Sequence, residues 1–414
     1  MDYRVFKHSH MQLPKNSWTA SPVLLDFIGD PVSLALEYWE KVHWWLPIIS
    51  KKRFHAHALN PLVPRGVDTV LLLSAMKLIL WHPDPITRPD AEYMAIRHAF
   101  VEAESAGVLT LQLLQAKILI TVYEFGHAIY PAAYLSVGSC ARYGAALGVN
   151  LCLESTDLAI SPEAALEVEE KKRAWWAVLL LDRTMQLGNP TQMLCTEEPA
   201  SASYLPVDDA SYEAGIITSE PFRASSPASI EMGMLARMCQ ATYLLGRVLR
   251  FQARNNEHED DEMRQSEKVQ LDRTLRSLLN LLYVEGSVKR LPVCAQSSIC
   301  YSALIALHDP DAKRADSEYF DLTMEFLKPV VNEMTWASGV WFNDRLVSIA
   351  DASPFLLFWA YQAITIYRRL EGQYGYEAQQ HMLLMNEKLR VMSLRWKAGE
   401  AYLQILKARE ITMM

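Results

Sequence analysis

The stretch PEAALEVEEKKRAWWAVLLLDRTMQL, residues Pro162 to Leu187, predicts the best-marked helix of the chain. Ser161 precedes it as a favourable N-cap, and Pro162 suits the first helical position because its missing N–H would have no partner there. Gly188 fits the left-handed position just past the end, and Pro190 prevents continuation. We therefore expect a helix of about seven turns.

Most of the circumference of this helix is apolar, so we expect it to lie at the centre of its domain. Trp175 and Trp176 fall on adjacent faces. Asp182 and Arg183 would lie near the buried end of the helix and need partners, because an unpaired buried charge is costly, and Arg173 stands two residues before Trp175. We expect these residues to hold the fold rather than to contact a ligand.

The remaining pattern is also helical, with no convincing run of alternating strands and no fixed repeat. Further helices are predicted at Ile230–Phe251, Val269–Tyr283, Ser297–His308, Ser317–Thr335 and Pro354–Leu370. Residues 1–28 are expected to be a loose lead-in, 29–409 a domain and 410–414 a tail. The predicted class is all-α, a large single helical domain of packed antiparallel helices.

The last predicted helix carries apolar residues at alternating spacings of three and four. They are Met382, Met385, Leu389, Met392, Trp396, Gly399, Leu403 and Leu406. One interpretation is a terminal helix laid along the domain core, with Gly399 admitting a neighbouring backbone. The alternative is a self-associating coiled coil, although Met at three of eight positions specifies pairing poorly.

Charge and composition exclude several classes of protein. The 414 residues contain 40 Lys and Arg against 48 Asp and Glu, a net charge of −8, whereas a compact nucleic-acid-binding domain usually has a basic surplus. The longest apolar stretch, Val70 to Trp81, includes Lys77 and is too short to span a membrane. No secretory signal is visible, and the six scattered cysteines are typical of reduced, mostly buried thiols. We expect a soluble, intracellular protein.

Motifs for the common chemistries are missing from the sequence. There is no G-x-x-x-x-G-K-[ST] loop, no G-x-G-x-x-G and no G-x-S-x-G. No C-x2-C pair exists to build a binuclear zinc cluster. The acidic run at residues 259–262 has Arg264 where a D-D-x-x-D magnesium motif needs a carboxylate, and Val347 breaks the second motif of that enzyme class. We therefore predict no enzyme, no cofactor and no metal.

Two basic triplets, at residues 51–53 and 171–173, could contact phosphate or an import receptor. Upstream glutamates accompany the second triplet, which favours a salt-bridged helix face. The first follows an aromatic stretch and is interpreted as a helix C-terminus that complements the helix dipole.

Several segments in order along the chain resemble the regulatory, or middle homology, domain of fungal zinc-cluster transcription factors. The most specific is KKRAWWAVLLLDRTMQLGNP, residues 171–190, with its basic-x-Trp-Trp start, Leu-Asp-Arg end and Gly-x-Pro. It is followed by YLPVDD, which contains Leu205, Pro206 and Asp208. Three other blocks are similar: EYWEKVHWWLPIISKKRF (37–54), TVYEFGHAIYPAAYLSVGSCARYGAALGVN (121–150) and RWKAGEAYLQIL (395–406).

The resemblance implies transcriptional regulation in the nucleus, and by family habit the control of a metabolic gene cluster. Because family members usually begin with the zinc cluster, we expect this chain to lack its own DNA reader and to act through protein partners, such as a DNA-binding relative. A small-molecule effector held in the helical core is a further expectation. Two alternatives stay open at this point: a helical enzyme or ligand-binding protein with an unfamiliar site, and a truncated zinc-cluster factor.

Overall fold

Helices form almost all of the regular structure. The computed structural model describes residues 21–60, 62, 64–83, 89–154, 161–188, 193–217, 220–227, 232–254, 261–289, 294–312, 317–343 and 351–413. Within these ranges, the only β pairing is an isolated bridge between Tyr204 and Arg223. The all-α prediction is confirmed.

The chain forms two compact units, whereas a single domain was expected. The first takes the described residues of Met1–Glu124, Tyr130–Val178 and Pro206–Pro221, and the second those of Phe125–Ile129, Leu179–Leu205 and Phe222–Met414. Two of the boundaries fall inside helices, after Glu124 and after Val178. The sequence therefore shows no linker or change of composition at these points.

The first unit is built around one apolar helix. Its helices are α1 (Pro22–Ile28), α2 (Pro31–Lys41), α3 (Lys51–His57), α4 (Val67–Leu80), α5 (Asp90–Ser105), α6 (Leu111–Gly126, as far as Glu124), α7 (Ala132–Leu147), a 3₁₀ helix (Val149–Leu153), α8 (Pro162–Gln186, as far as Val178) and α9 (Asp209–Ala214). Eleven of the fourteen residues of α4 are buried, and α1, α2 and α5 pack against it. Because α4 is apolar all round, only a central position buries it fully.

Prolines and capping residues set several of these helix starts. Pro22 opens α1 inside the segment that was expected to be a loose lead-in, and residues 1–20 lie outside the described ranges. Asp30 caps α2 by accepting a hydrogen bond of 2.9 Å from the N–H of Ser33. Ser161 caps α8 in the same way, through the N–H of Ala164 at 3.3 Å, as the sequence predicts.

The second unit is built around another central helix. Its complete helices are α10 (Met234–Ala253), α11 (Asp261–Lys289), α12 (Cys294–Ala312), α13 (Ser317–Asn343), α14 (Leu356–Ser393) and α15 (Ala398–Met413). Helix α12 packs against α10, α11, α13 and α14. Its central position buries Cys294 and Cys300. Four of the six cysteines of the chain are buried and all six are free thiols, as expected.

The predicted helices exist, but several extend further than their apolar pattern. The helix predicted at Val269–Tyr283 is part of α11, which begins earlier, at Asp261 in the acidic run. The helix predicted at Ser317–Thr335 is part of α13, which continues to Asn343. The helix predicted at Pro354–Leu370 corresponds to the first part of α14. This longer helix bends at Gly375, where φ is 46°. The residues that lengthen α11 at its start and α14 beyond Leu370 include many charged side chains, which an apolar pattern does not detect.

The apolar seam near the C-terminus is not one helix. Helix α14 ends at Ser393 and α15 begins at Ala398, so the seam is interrupted. The side chains of Met385, Leu389, Met392, Trp396 and Leu406 are nevertheless buried within the chain itself. Gly399 admits a neighbouring backbone, since a Cβ there would lie 3.0 Å from the carbonyl oxygen of Leu389. The structure therefore favours packing along the core and offers no continuous seam for a coiled coil.

Candidate functional site

The middle of α8 is buried on every side, from residue 172 to residue 184. Trp176 is 1% exposed and Trp175 is 6% exposed. In the first unit, the ring of Trp175 lies against Gly144 of α7, where a Cβ would come within 2.8 Å of the ring. The central position predicted for this helix is confirmed, and it carries several charges into the interior.

In the first unit, Arg173 is fully buried and every side of its guanidinium has a partner. Its Nε lies 2.9 Å from Glu169 Oε1, and its Nη1 lies 3.0 Å from Asp209 Oδ1. Nη2 donates to the carbonyl oxygen of Val207 at 2.9 Å, and the guanidinium carbon stands 3.8 Å from the ring centre of Tyr212. Burial opposes the charge, but the neighbouring carboxylates raise the pKa of Arg173 above its usual value.

The Arg173 cluster fixes the loop that carries the Leu-Pro-x-Asp-Asp block. Glu169 Oε1 also accepts a hydrogen bond of 2.9 Å from the N–H of Val207. Asp208 caps α9 through the N–H of Ser211 at 3.1 Å. Of the other two predicted residues in this block, Leu205 is buried and donates its N–H to the carbonyl of Phe222 at 2.7 Å, and Pro206 is buried.

In the second unit, Asp182 and Arg183 form another buried cluster. Asp182 Oδ2 accepts hydrogen bonds from the N–H and the hydroxyl of Thr196, at 2.9 and 2.6 Å, and Oδ1 accepts one from the N–H of Cys195 at 3.1 Å. Arg183 donates to Thr196 Oγ1 at 2.6 Å and reaches Glu198 Oε2 at 3.4 Å. Burial lowers the pKa of Arg183, because desolvation outweighs the attraction of Glu198 and Asp182.

The sequence did not point to Glu198, Thr196 or Gly246 as members of this second cluster. Thr196 and Glu198 lie in a loop of mixed composition, and Gly246 lies on another helix. Their separations from Asp182 in the sequence match no recognisable motif. Gly246 of α10 provides the room, since a Cβ there would stand 2.7 Å from Glu198 Oε2. Both clusters are buried and hydrogen-bonded, although Arg183 Nε and Glu198 Oε1 have no hydrogen-bond partner among the described residues, and we propose that both clusters serve the fold.

The C-terminal end of α8 differs from the predicted cap. Gly188 lies in a turn just after α8, but it is not among the glycines with positive φ, so the expected left-handed conformation was wrong. The helix ends there because the last turn closes through the N–H of Leu187 on the carbonyl of Thr184, at 3.3 Å, without a left-handed residue. Pro190 lies outside the described residues.

The basic triplet at residues 51–53 opens α3 rather than ending a helix, so the predicted C-terminus was wrong. Ser50 supplies the N-cap that the aromatic pattern did not reveal, accepting from the N–H of Arg53 at 3.4 Å. Lys51 Nζ lies 2.6 Å from Glu213 Oε2, and Arg53 Nε lies 2.7 Å from Glu170 Oε2. The triplet at residues 171–173 is also paired with glutamates, as predicted.

Neither a metal-ligand group nor a membrane-spanning helix occurs among the residues that the structure describes. In the part of the chain that the structure describes, no three His, Cys, Asp or Glu side chains come together in a group that could hold a metal ion. Among the described helices, none is long and apolar enough to cross a membrane. The first unit does contain a polar cavity of about 230 Å³ between α5, α6 and α7.

Comparison with known proteins gives the family. The model of the fungal specific transcription factor domain matches residues 35–283. Transcription factor BOA15 of Botryotinia fuckeliana is 36% identical over 154 residues, which are 36% of this chain and 84% of that protein. No solved structure matches.

Two further relatives are more distant. The azaphilone cluster-specific transcription factor azaR of Aspergillus niger is 25% identical over 47% of this chain and 43% of its own length. The pigment biosynthesis transcriptional activator pigB of Monascus ruber is 25% identical over 48% of this chain and 37% of its own length. The chain thus spans less than half of the length of these two relatives. The match to the family model covers more than half of the chain. The chain therefore belongs to the family of fungal specific transcription factor domain proteins.

Proposed function

We propose that this transcriptional regulator controls a metabolic gene cluster from the nucleus. The observation that carries the proposal is the domain match over residues 35–283, which includes both basic triplets and both buried charge clusters. The names of two relatives suggest the kind of target genes, since one relative is named as specific for an azaphilone cluster and the other as an activator of pigment biosynthesis.

We infer further that this chain is brought to promoter DNA by a protein partner, which makes the direct contacts with the DNA. The net charge is −8, and the sequence contains no C-x2-C pair. In the first unit, Lys51, Arg53 and Arg173 are paired with carboxylates, so these basic side chains are not free to neutralise phosphates. A DNA-binding relative from the same family is the partner that fits, because it would bring the zinc-bound DNA reader.

A gene-deletion experiment tests the regulatory role. Deleting the gene should change the transcripts of a defined, co-localised set of metabolic genes, and reintroducing the wild-type gene should restore them. A fluorescently tagged protein should concentrate in the nucleus. Unchanged transcripts together with a cytosolic protein would contradict the proposal.

A mobility-shift experiment tests the role of the partner. The purified chain should not shift promoter fragments of the regulated genes in modest salt, whereas a nuclear extract containing the tagged chain should give a shift that antibody to the tag alters. A specific shift by the purified chain alone would overturn the inference that a partner reads the DNA.

A further inference from the structure

The cavity of about 230 Å³ in the first unit combines an apolar wall with charged and hydroxyl side chains. Helices α5, α6 and α7 line it. The apolar wall consists of Phe100, Val101, Ile120 and Leu135, and the polar wall of Arg97, Glu104, Lys117, Thr121, Ser136 and Ser139. Ligand pockets in proteins likewise combine apolar side chains with convergent polar groups that fix the orientation of the ligand.

Lys117 is the fixed charge of the cavity. It is 9% exposed, and its ammonium lies 4.9 Å from the ring centre of Phe100 and 5.7 Å from that of Tyr143. The ammonium also donates to Ser139 Oγ at 3.0 Å. A buried ammonium requires a negative partner, and the carboxylate of Glu104 supplies one at 2.6 Å.

Glu104 is the movable charge. Its side chain is 43% exposed, whereas that of Lys117 is 10% exposed. The Glu104 carboxylate can therefore turn into solvent at small cost once another anion has taken its place beside the ammonium. An incoming carboxylate would also find the hydroxyl of Ser139, which accepts from Lys117 and keeps its own hydrogen for donation.

The other cation that lines the cavity, Arg97, is paired with a carboxylate that cannot turn into solvent as Glu104 can. Arg97 Nη1 lies 2.9 Å from Glu124 Oε1 and 2.9 Å from Ser136 Oγ, and the carboxylate of Glu124 is fully buried. Tyr93 also donates to Glu124 Oε1, at 2.7 Å. Arg97 therefore keeps a partner that cannot leave, and Lys117 is the cation of the cavity whose carboxylate partner can be displaced by a ligand anion.

The mouth of the cavity is apolar. Val101 is 62% exposed and Leu135 is 61% exposed, and both line the cavity. A ligand body that covers them would remove apolar surface from water, which is favourable at about 25 cal/mol per Å². The volume is below the roughly 300–1,000 Å³ usual for drug-sized ligands, so the ligand is a smaller molecule.

We propose that this cavity binds a small carboxylic acid with an apolar tail, whose carboxylate replaces Glu104 beside Lys117 while the tail packs against Phe100, Ile120 and Leu135. Binding is separate from the proposed function, because it can be measured on the purified protein. A regulatory effect of the acid would rest on the proposed function, but the binding site itself does not.

Titration calorimetry of the purified full chain with octanoate tests the proposal, with octanamide and octylamine as probes of the same length. We expect octanoate to bind and the other two to bind at least about tenfold more weakly, because only the carboxylate makes charge-assisted hydrogen bonds with the ammonium. Equal binding of octanoate and octanamide, or preferential binding of octylamine, would overturn the proposal.

Four variants locate the site. Glu104→Gln removes the competing anion and should tighten octanoate binding, whereas Lys117→Met should weaken it at least about tenfold. Leu135→Trp fills the mouth from an exposed position and should abolish binding while the thermal unfolding midpoint stays unchanged. The same change at Leu36, which is 63% exposed on α2, should leave binding intact. If all four variants bound octanoate with the same affinity, the assignment of the binding site to this cavity would be wrong.

Discussion

Gly246 lies so close to Arg183 that a Cβ at position 246 would stand 2.9 Å from the Nε atom of the arginine. The helix that carries Gly246 can approach the buried charge cluster only because this position has no side chain. Real Cβ atoms essentially never come within 3.0 Å of another heavy atom, so any larger residue must displace the cluster.

Replacing Gly246 with alanine should destabilise the protein by about 1–3 kcal/mol, because the added methyl group overpacks the Arg183–Glu198 pair. Urea unfolding followed by circular dichroism measures the change. The matched control is Gly372→Ala in α14, where a Cβ would meet nothing within 4 Å. There alanine should stabilise the helix by about 0.5–1 kcal/mol. A Gly246→Ala variant as stable as the wild type would show that the cluster can shift freely.

Replacing Asp182 with alanine should cost about 3–5 kcal/mol, because it leaves Arg183 buried beside unsatisfied donors. The comparison is Asp208→Ala, which removes an exposed N-cap and should cost only about 0.5–2 kcal/mol. Both can be compared by chemical denaturation and by protein abundance in cells. Similar losses at the two positions would contradict the structural role given to the Asp182 cluster.

Replacing Arg173 with lysine should destabilise the first unit, because one ammonium cannot reach the partners that the planar guanidinium joins. The loss should be about 3–5 kcal/mol, as for other broken buried ion pairs. Arg223 offers a matched control, since it is exposed and its guanidinium also lies over a tyrosine ring, at 4.6 Å. Lysine there should change stability by less than about 0.5 kcal/mol. Equal tolerance at both positions would argue against the Arg173 cluster as a support of the fold.

Glu124 and Glu213 should give opposite pH dependences of stability. Burial raises the pKa of Glu124 above its usual 4.5, although hydrogen bonds from Ser136, Tyr93 and Arg97 oppose the shift. The folded state therefore holds this proton more tightly than the unfolded state does. Compared with Glu124→Gln, the wild type should gain stability as the pH falls toward 4.5 and lose it again as the pH rises through the raised pKa.

The other carboxylate behaves in the opposite way. Partial burial alone would raise the pKa of Glu213, but hydrogen bonds and charges from His43 and Lys51 outweigh burial and lower it to about 2. Its contribution is therefore complete above pH 4.5 and is lost as the pH falls from 4.5 toward 2. The stability advantage of the wild type over Glu213→Gln should shrink in that window. Thermal unfolding midpoints across pH 3–8 measure the difference between the wild type and each of the two variants. If both differences changed with pH in the same direction, the opposite pKa shifts given to Glu124 and Glu213 would be wrong.

The sequence predicted the all-α class and the course of α8 because these depend on local signals: a proline after a serine cap, ion pairs four residues apart and apolar residues all round. It also predicted that Asp182 and Arg183 would need partners. It could not name Thr196, Glu198 or Gly246, because long-range packing brings them together. No local signal marks the boundaries between the two compact units for a similar reason, since two of these boundaries fall inside continuous helices.

The cavity near Lys117 was also invisible in the sequence. Glu104 and Lys117 stand on different helices, and their spacing matches no ligand motif. Only the packing of α5, α6 and α7 brings the two charges together with the serines of α7. A buried lysine in a helix is therefore worth locating in the structure even where the sequence around it contains no motif.

Rapid depletion of the protein in living cells, followed by sequencing of newly made RNA, is the sharpest test of whether this protein regulates transcription. A degron tag should remove the protein within minutes, before secondary effects develop. Synthesis of a small, co-localised set of metabolic transcripts should change promptly, while most other genes are unaffected. Unchanged synthesis of every transcript after complete depletion would contradict a regulatory role for this protein.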